Sequence, residues 1–325
     1  LVGSEMCIRD SMKTEALVDE ALQLLSDGID GTAIIACSGG IDSTVAAVLA
    51  HRAVGNLLHC VYVDTGLMRL GESDEVREMF DEMGIEIKVV DASKRFFDCL
   101  DGVTDPEEKR KAIGETFIRV FEEEQKLVGA KYLVQGTIAP DWIESGGGER
   151  DVIKSHHNVG GIPEDIDLDI VEPLRDFYKD EVRDIARLLK ISSSERQPFP
   201  GPGLAVRVLG HVTPERVQTC RVACDIVERG IRAAAQDGRC DLPWQYFAAL
   251  LPVRSVGVHG DARVHGETIV IRAVTSLDGM SARYSPIPHT VLSNISTEIT
   301  NTLKGQVNRV VYDITHKPPG TIEWE

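Results

Sequence analysis

Residues 32–49 read TAIIACSGGIDSTVAAVL, and this stretch decides the fold of the chain. An apolar, β-rich run over 32–37 leads into the turn Ser38-Gly39-Gly40, and an Ala/Val/Leu-rich segment over 44–54 predicts a helix. A strand that enters a helix through such a turn directs the amides of the helix N-terminus outward, where they can hold phosphate oxygens. The stretch therefore predicts a strand–helix unit with an anion-binding turn.

Strands and helices alternate from residue 13 to about residue 190. We predict strands near 57–64, 85–91, 131–136 and 170–173, and helices near 72–83, 109–128 and 179–189. The strands are apolar throughout, which is typical of a sheet covered by helices on both faces. We therefore expect an α/β fold with a doubly wound parallel sheet, in which ligands bind beyond the carboxyl ends of the strands. Ser38, Asp64 and Gln135 fall at those ends.

Composition changes at residues 197–203, which read QPFPGPG and end any regular element. Beyond this run the pattern is α+β, with helices predicted over 214–235 and 290–303 and strands near 255–258, 268–273 and 309–314. We expect a first domain over residues 12–200 and a smaller domain over 201–325. Residues 1–11 fit nothing downstream, and we expect them to be a non-native leader.

Bulk composition narrows the class of protein. The 325 residues are 42% hydrophobic, and no apolar run approaches the ~18–20 residues that cross a bilayer. The net charge of −17 argues against a nucleic-acid-binding surface, because phosphate backbones are held by Lys and Arg. Seven cysteines form no CxxC pair, which suits a reducing compartment. We expect a cytoplasmic protein that binds neither nucleic acid nor membrane.

The turn Ser38–Thr44 offers glycines and hydroxyls but no lysine, so it is not a Walker A loop. A turn of this kind, without a lysine, suits a reaction that releases pyrophosphate better than one that transfers the γ-phosphate. Asp42 can help to hold Mg²⁺. An isolated SGG could simply cap a helix. The pattern SGGxDS at a strand end favours ATP binding instead.

SGGxDS resembles the signature of the N-type ATP pyrophosphatases, and six further stretches resemble the GMP synthetase family, in that family's order. The resemblance covers residues 13–325 and implies a pyrophosphatase domain followed by an XMP-binding and dimerisation domain. The stretches are GVTDPEEKRK from Gly102, QGT from Gln135, IKSHHN from Ile153, PFPGPG from Pro198, LPVRSVGV from Leu251 and KPPGTIEWE from Lys317.

The resemblance implies a reaction. ATP adenylates XMP at its C2 oxygen, pyrophosphate leaves, and ammonia displaces AMP to give GMP, with Mg²⁺ as cofactor. Because the ATP turn begins at Ser38, we expect no glutaminase domain before it. The chain thus resembles the separately encoded synthetase subunit of archaea, with ammonia expected from a separate glutamine amidotransferase subunit. A homodimer through the C-terminal domain is also implied.

The same resemblance assigns site residues, and Lys109-Arg110-Lys111 resembles a lid over the site. Lys154 would neutralise departing pyrophosphate as a point charge, and Asp42 and Asp141 are expected at Mg²⁺. The residues expected at ATP and pyrophosphate are Ser38, Gly39, Gly40, Ile41, Asp42, Ser43, Thr44, Val63, Asp64, Gln135, Gly136, Thr137 and Lys154. The residues expected at XMP are Arg110, Pro200, Gly201, Gly203, Gln245, Asp261, Arg263, Lys317, Ile322 and Glu323.

Other functions share the same turn. The alternatives are NAD synthetase, a tRNA-thiolating enzyme and a tRNA-lysidine enzyme. The two tRNA enzymes require a basic surface, and the acidic net charge of this chain argues against them. A nucleotide sensor without catalysis is a rival from another class. A sensor would be expected to lose Asp42, Lys154 or Lys317, and the sequence has all three.

Overall fold

A computed structural model describes residues 2–139, 168–191, 197–277 and 279–325 of the chain. The chain divides into two compact units. Unit 1 comprises Leu1–Asp64, Gly71–Ala92 and Gly114–Arg196, and unit 2 comprises Thr65–Leu70, Ser93–Ile113 and Gln197–Glu325. Unit 2 thus takes in two short segments from the first half of the sequence, and a division at residue 200 stays a prediction.

Helices and strands alternate in the first half of the chain, as the sequence predicted, with boundaries that differ by a few residues. The short helix α4 was not predicted, and α5 begins three residues earlier than expected, at Pro106. The elements are α1 (Val2–Gly28), β1 (Ala33–Ala36), α2 (Ile41–Val54), β2 (Leu58–Asp64), α3 (Glu72–Glu82), β3 (Ile87–Asp91), α4 (Ser93–Cys99), α5 (Pro106–Val128), β4 (Tyr132–Val134), β5 (Asp169–Val171) and α6 (Lys179–Leu188).

The five strands of unit 1 form one parallel sheet in the order β3-β2-β1-β4-β5. Ile35 of β1 lies in register with Cys60 of β2 on one side and Val134 of β4 on the other. The chain builds outward from β1 in both directions, so the switch point of the sheet lies between β1 and β4. The predicted doubly wound parallel sheet is confirmed.

Small and β-branched residues explain why the centre of unit 1 packs tightly. Ala33, Ile34 and Ile35 of β1 are at most 1% exposed. Helix α2 is buried from Thr44 to Ala50, because its run of Ala and Val lets neighbours approach on every side. The turn between β1 and α2 is therefore held by two buried elements.

Unit 2 is α+β, as predicted, but its central hairpin is much longer than the short strands we expected near 255–258 and 268–273. Strands β6 and β7 pair antiparallel, and β9 pairs parallel with β7. Residues 246–250 form an apolar run that periodicity cannot assign to a strand or a helix. The elements are α7 (Pro214–Gln236), β6 (Gln245–His259), β7 (Ala262–Thr275), β8 (Arg283–Tyr284), α8 (His289–Thr302) and β9 (Val307–Asp313).

Helix α7 supplies the core of unit 2. It begins with Pro214 after the N-cap Thr213, whose hydroxyl accepts a hydrogen bond from the Arg216 amide at 3.3 Å. Its buried side chains recur at helical spacing and include Cys220 and Cys224. Cys224 Sγ donates to Ala248 O of β6 at 3.1 Å. Within the described ranges, no helix combines the length and apolarity that crossing a membrane requires.

Candidate active site

The turn between β1 and α2 needs glycine for two separate reasons. Gly39 has φ +75°, in the left-handed region, and a Cβ built there would lie 2.8 Å from Val76 Cγ2 of α3. Gly40 is the N-cap residue of α2 and is exposed. The turn therefore presents bare backbone to solvent, because α3 packs against its other side.

Hydroxyl groups brace this turn from inside. Ser38 Oγ and Ser43 Oγ lie 3.1 Å apart, and the amides of Ser38 and Gly40 donate to Ser43 Oγ and Ser38 Oγ at 3.2 and 3.3 Å. Thr44 Oγ1 donates to Gly40 O at 2.8 Å. Helix geometry leaves the first amides of α2 without intrahelical acceptors, and the helix dipole favours negative charge there. The geometry of the turn thus suits phosphate oxygens.

The end of β4 lies directly against the first turn of α2. A Cβ at Gly136 would be 3.0 Å from the carbonyl of Asp42 and from Ser43 N, so this close approach needs glycine. The amide of Gln135 donates to Val171 O of β5 at 3.0 Å, which fixes the exit of the chain from β4, before Thr137. The structure therefore brings the Ser38–Thr44 turn and the Gln135–Thr137 segment together at the switch point.

Strand β2 ends beside the same turn. The amide of Cys37 donates to Val61 O at 2.8 Å, which ties the end of β1 to β2. Val63 is buried, and the Asp64 carboxylate accepts a hydrogen bond from Ser73 Oγ of α3 at 2.6 Å. Asp64 thus has a fixed orientation at the strand end next to the phosphate turn.

A lysine that the sequence did not indicate as a site residue lies near this turn. Lys179 is the first residue of α6, and its Nζ lies 4.0 Å from Asp42 Oδ2, with 55% of its side chain exposed. The turn itself lacks a lysine, and this one comes from a distant part of the sequence. Only the pairing of β4 with β5 and the return of α6 bring it close, so no local pattern pointed to it.

Mg²⁺ fits the donor set at this turn. Protein sites usually hold Mg²⁺ through one or two carboxylates together with substrate phosphates. The Asp42 carboxylate, 28% exposed at a phosphate turn, meets that description. The described residues contain no cluster of three or more His, Cys, Asp or Glu suited to a metal ion. Asp141 and Lys154 lie outside the described residues.

In unit 2, Gln245 and Glu323 of the predicted XMP set are in contact. Gln245 Nε2 donates to Glu323 Oε1 at 2.9 Å and to Pro198 O at 3.2 Å. Arg207 holds the same carboxylate in a bidentate ion pair, Nε–Oε2 3.0 Å and Nη2–Oε1 2.8 Å. Arg207 was not predicted as a site residue, and it fixes Glu323 in one orientation.

The proline–glycine loop forms a tight turn in unit 2. The amide of Gly203 donates to Pro200 O at 2.9 Å, and Gly201 between them is exposed. Gly203 has φ +63°, and a Cβ there would lie 2.5 Å from Leu67 O. Leu67 O also accepts from Leu204 N at 2.7 Å, so the loop is anchored to the 65–70 segment.

The segment Lys317–Glu325, called the tail from here on, is held by side chains of the second sheet and its loops. Lys317 Nζ donates to Gly279 O at 2.8 Å, and Ile322 is half-buried. Buried Arg272 donates to Thr321 O at 2.9 Å. Three predicted residues, Lys317, Ile322 and Glu323, therefore lie on one anchored segment.

Two predicted residues lie away from this group within one chain. Asp261 and Arg263 are at the tip of the β6–β7 hairpin, where Val258 pairs with Arg263. Gln245 begins β6 at the opposite end and pairs with Val274. A strand of this length separates its ends by on the order of 40 Å. The structure does not bring Asp261 and Arg263 together with Gln245, and their role at XMP stays a prediction.

The described residues of the predicted ATP set all belong to unit 1, and those of the predicted XMP set all belong to unit 2. Unit 1 combines a doubly wound sheet with a glycine turn at its switch point, a helix N-terminus and a carboxylate on the adjacent strand end. These features define the class of α/β proteins that bind nucleotides.

Curated relatives give the family within that class. The chain is 52% identical to a subunit of glutamine-hydrolyzing GMP synthase from Thermoplasma acidophilum, over 97% of this chain and 100% of the relative. It is 55% identical to the same-named subunit from Thermococcus kodakarensis and 56% identical to that from Halobacterium salinarum, each over 96% of this chain and 99% of the relative. The chain belongs to this family of GMP synthase subunits.

Two further matches accompany these relatives. Residues 233–324 match the family described as GMP synthase C terminal domain. Among solved structures, NMN synthetase from Francisella tularensis matches with a TM-score of 0.48 and 17% identity, over 63% of this chain and 84% of that chain.

Proposed function

We propose that this chain is the ATP-dependent synthetase subunit of a two-subunit GMP synthase. It adenylates XMP at the C2 oxygen, releases pyrophosphate, and lets ammonia from a separate glutamine amidotransferase subunit displace AMP. The observation that carries this proposal is the Ser38–Thr44 turn at the switch point of the sheet, in a chain that belongs to a family of GMP synthase subunits.

The first step needs positioning and charge neutralisation rather than a protein nucleophile. The C2 oxygen of XMP attacks the α-phosphorus of ATP, and the bond to the bridging oxygen breaks with its electrons leaving on pyrophosphate. Amides of α2 and the hydroxyls of Ser38 and Ser43 are proposed to hold the β- and γ-phosphates. Lys179 adds a positive charge near the turn, and we assign Lys154 the same task.

Mg²⁺, held by Asp42 and the nucleotide phosphates, would supply further charge neutralisation at pyrophosphate. We assign Asp141 to the same ion. The adenosine is proposed to lie against Val63, Asp64 and Gln135–Thr137, since these residues end the two strands that flank β1. The hydrogen bond from Ser73 keeps the Asp64 carboxylate from rotating.

Unit 2 is proposed to bind XMP. The Glu323 carboxylate and the Gln245 amide stand side by side, and because the Gln245 NH2 group already donates to Glu323 and Pro198, we propose that their oxygens accept hydrogen bonds from the N–H groups on the edge of the purine. Arg110 and Lys317 are cations suited to the nucleotide phosphate. In the second step ammonia attacks C2, the C2–oxygen bond breaks, and AMP leaves with that electron pair while solvent takes the excess proton.

A homodimer through residues 201–325 forms part of the proposal. Valines on two strands of the second sheet are exposed, with Val256, Val258 and Val311 at 50%, 69% and 44%. Exposed apolar side chains on one sheet are common at contact surfaces between protein chains. We propose a cytoplasmic location, which the free thiols of Cys37, Cys60 and Cys224 support.

The function is tested by incubating the full chain with ATP, Mg²⁺, ammonium and XMP, and by measuring pyrophosphate and GMP. Both products should form together and should vanish when XMP is omitted. Glutamine in place of ammonium should give no GMP unless a glutaminase is added. Pyrophosphate release that does not depend on XMP would refute the proposal.

A further inference from the structure

Lys109, in the first turn of α5, is a fully buried lysine with three specific acceptors. Its Nζ donates to Val208 O at 2.9 Å and to Ala205 O at 3.3 Å, and it forms an ion pair with the Glu325 carboxylate. Its side chain is 0% exposed. An ammonium group has three donors, so this environment satisfies every one of them.

Glu325 is held equally firmly at the other end of the pair. Its side chain is 9% exposed, and Oε1 accepts a hydrogen bond from the Gly210 amide at 3.0 Å. Burial lowers the pKa of Lys109, and the charge of Glu325 opposes that change. The two charges thus stabilise each other, because burying either charge without its partner would cost folding free energy.

The pair joins two segments that carry predicted XMP residues. Arg110 follows Lys109 directly on α5. Glu323 lies two residues before Glu325 on the tail, where Arg207 and Gln245 hold it. Two glutamates of the tail are therefore each bound by a buried cation, Glu323 by Arg207 and Glu325 by Lys109.

Neither solubility nor the packing of the core explains why Lys109 and Glu325 form a buried ion pair. A charged pair of this kind gains little net stability over apolar side chains of similar volume, because both charges lose their hydration. Its distinctive effect is geometric: an ion pair with directed hydrogen bonds fixes the distance between its two segments, whereas methylene contacts allow sliding.

We propose that Lys109 and Glu325 form a positioning pair for XMP, which holds Arg110 on α5 and Glu323 on the tail at the separation the nucleotide requires. This inference rests on the proposed function, because XMP is the ligand in question. Neither residue needs to touch the reacting atoms. Both act through their neighbours in sequence.

The test uses steady-state kinetics of the full chain with ATP, Mg²⁺, ammonium and varied XMP. Glu325→Gln keeps the shape of the side chain and removes its charge, and Lys109→Met keeps its length. We expect each to raise the KM for XMP on the order of tenfold or more, the size typical of a misplaced binding group, and to leave the KM for ATP within about twofold.

Matched controls come from an exposed pair in the same unit. Lys94 Nζ and Asp98 Oδ2 form an i,i+4 ion pair on α4, with side chains 86% and 62% exposed. Lys94→Met and Asp98→Asn make the same chemical changes and should leave both KM values unchanged. The double variant Lys109→Met/Glu325→Gln should raise the KM for XMP no further than the single variants, since one interaction is lost in all three.

A purely structural pair gives a different result. In that case the variants lower the melting temperature and kcat while the KM for XMP stays at the wild-type value, which overturns the inference. If Lys109→Met fails to fold, Glu325→Gln decides the matter alone. If the wild-type chain releases no XMP-dependent pyrophosphate, the proposed function fails and the inference fails with it. An active wild type with unaffected variants rejects the inference only.

Discussion

Arg207 and Glu323 form a bidentate ion pair in which the arginine side chain is 1% exposed and the glutamate side chain 19%. The guanidinium also lies over the rings of Phe247 and Phe199, with 4.1 and 5.0 Å between Cζ and the ring centroids. A planar cation suits both contacts, and a lysine could not make them together. The tail is therefore held by the directed hydrogen bonds of Arg207, and the two phenylalanine rings fix the orientation of that arginine.

Replacing Arg207 by Met should destabilise unit 2. The change leaves Glu323 without its main partner, and removal of one member of a buried pair costs about 3–5 kcal/mol. Urea unfolding measures this loss. The control Arg229→Met removes an exposed arginine that pairs with Asp225 and Glu298, and it should cost no more than about 1 kcal/mol. Equal losses for the two variants would contradict the prediction.

Gly39→Ala should damage the phosphate turn. The new Cβ meets Val76 at 2.8 Å, and φ is +75°. The left-handed backbone alone costs about 1–2 kcal/mol for a residue with a Cβ, and the contact adds to it. Gly84→Ala is the matched control, because its φ is +71° with nothing within 4 Å. Denaturation should show a larger loss at Gly39, and XMP-dependent turnover should fall only in that variant.

Lys179→Met should lower the catalytic efficiency with ATP. The lysine supplies a positive charge 4.0 Å from Asp42 at the turn where the phosphates are proposed to bind. We expect a fall in kcat/KM for ATP of about tenfold, equivalent to about 1.4 kcal/mol. Lys179→Arg keeps the charge and should retain most activity. If both variants match the wild type in pyrophosphate release, Lys179 has no part in the reaction.

The stability of unit 2 should depend on Glu228 in a defined direction of pH. Burial raises the pKa of this carboxyl, although Arg69 and Arg207 act against the shift. A raised pKa in the folded state means that the folded chain binds the proton more tightly than the unfolded chain. Its contribution to stability is therefore present at low pH and is lost as the pH rises through the folded pKa.

The variant Glu228→Gln isolates this effect. The unfolding free energy of the wild type relative to Glu228→Gln should fall as the pH rises from about 4 towards 7. Urea titrations at several pH values measure the difference. The variant Glu298→Gln removes an exposed carboxylate and serves as the control, because it shows how the unfolding free energy changes with pH when a surface carboxylate is lost. A difference that grows with pH would show that the sign is wrong.

The central strands and the phosphate turn could be predicted from the sequence because their signals are local. Ala33–Ala36 is an apolar run before Ser38-Gly39-Gly40, and the predicted strand and helix both form there, although the helix begins at Ile41 rather than at Thr44. The sequence showed that the turn contains Gly39, but not why that position needs glycine. The physical cause of that need, contact with Val76, required the packing of α3.

Residues whose role depends on distant partners could not be predicted. Arg207 lies in an apolar stretch after the proline–glycine loop, and nothing near it in sequence shows that Glu323 will be its partner. Lys179 begins an ordinary amphipathic helix. The long β6 strand was underestimated, because Tyr246–Leu250 is apolar without alternation. The first two failures concern contacts between segments far apart in the chain, and the third concerns a run whose residues lack a strand period.

The unequal lengths of the strands in the second sheet have a consequence for local unfolding. Strand β9 pairs with β7 only from Glu267 to Arg272, so the outer part of the hairpin, up to Gly260, is a ribbon of two strands within the described residues. Two-stranded ribbons are marginal in water. In the monomer, amide hydrogen exchange should therefore be fast from Gly257 to Val264 and slow from Ile269 to Ile271, and within the described residues of this hairpin a protease should cut at the tip first.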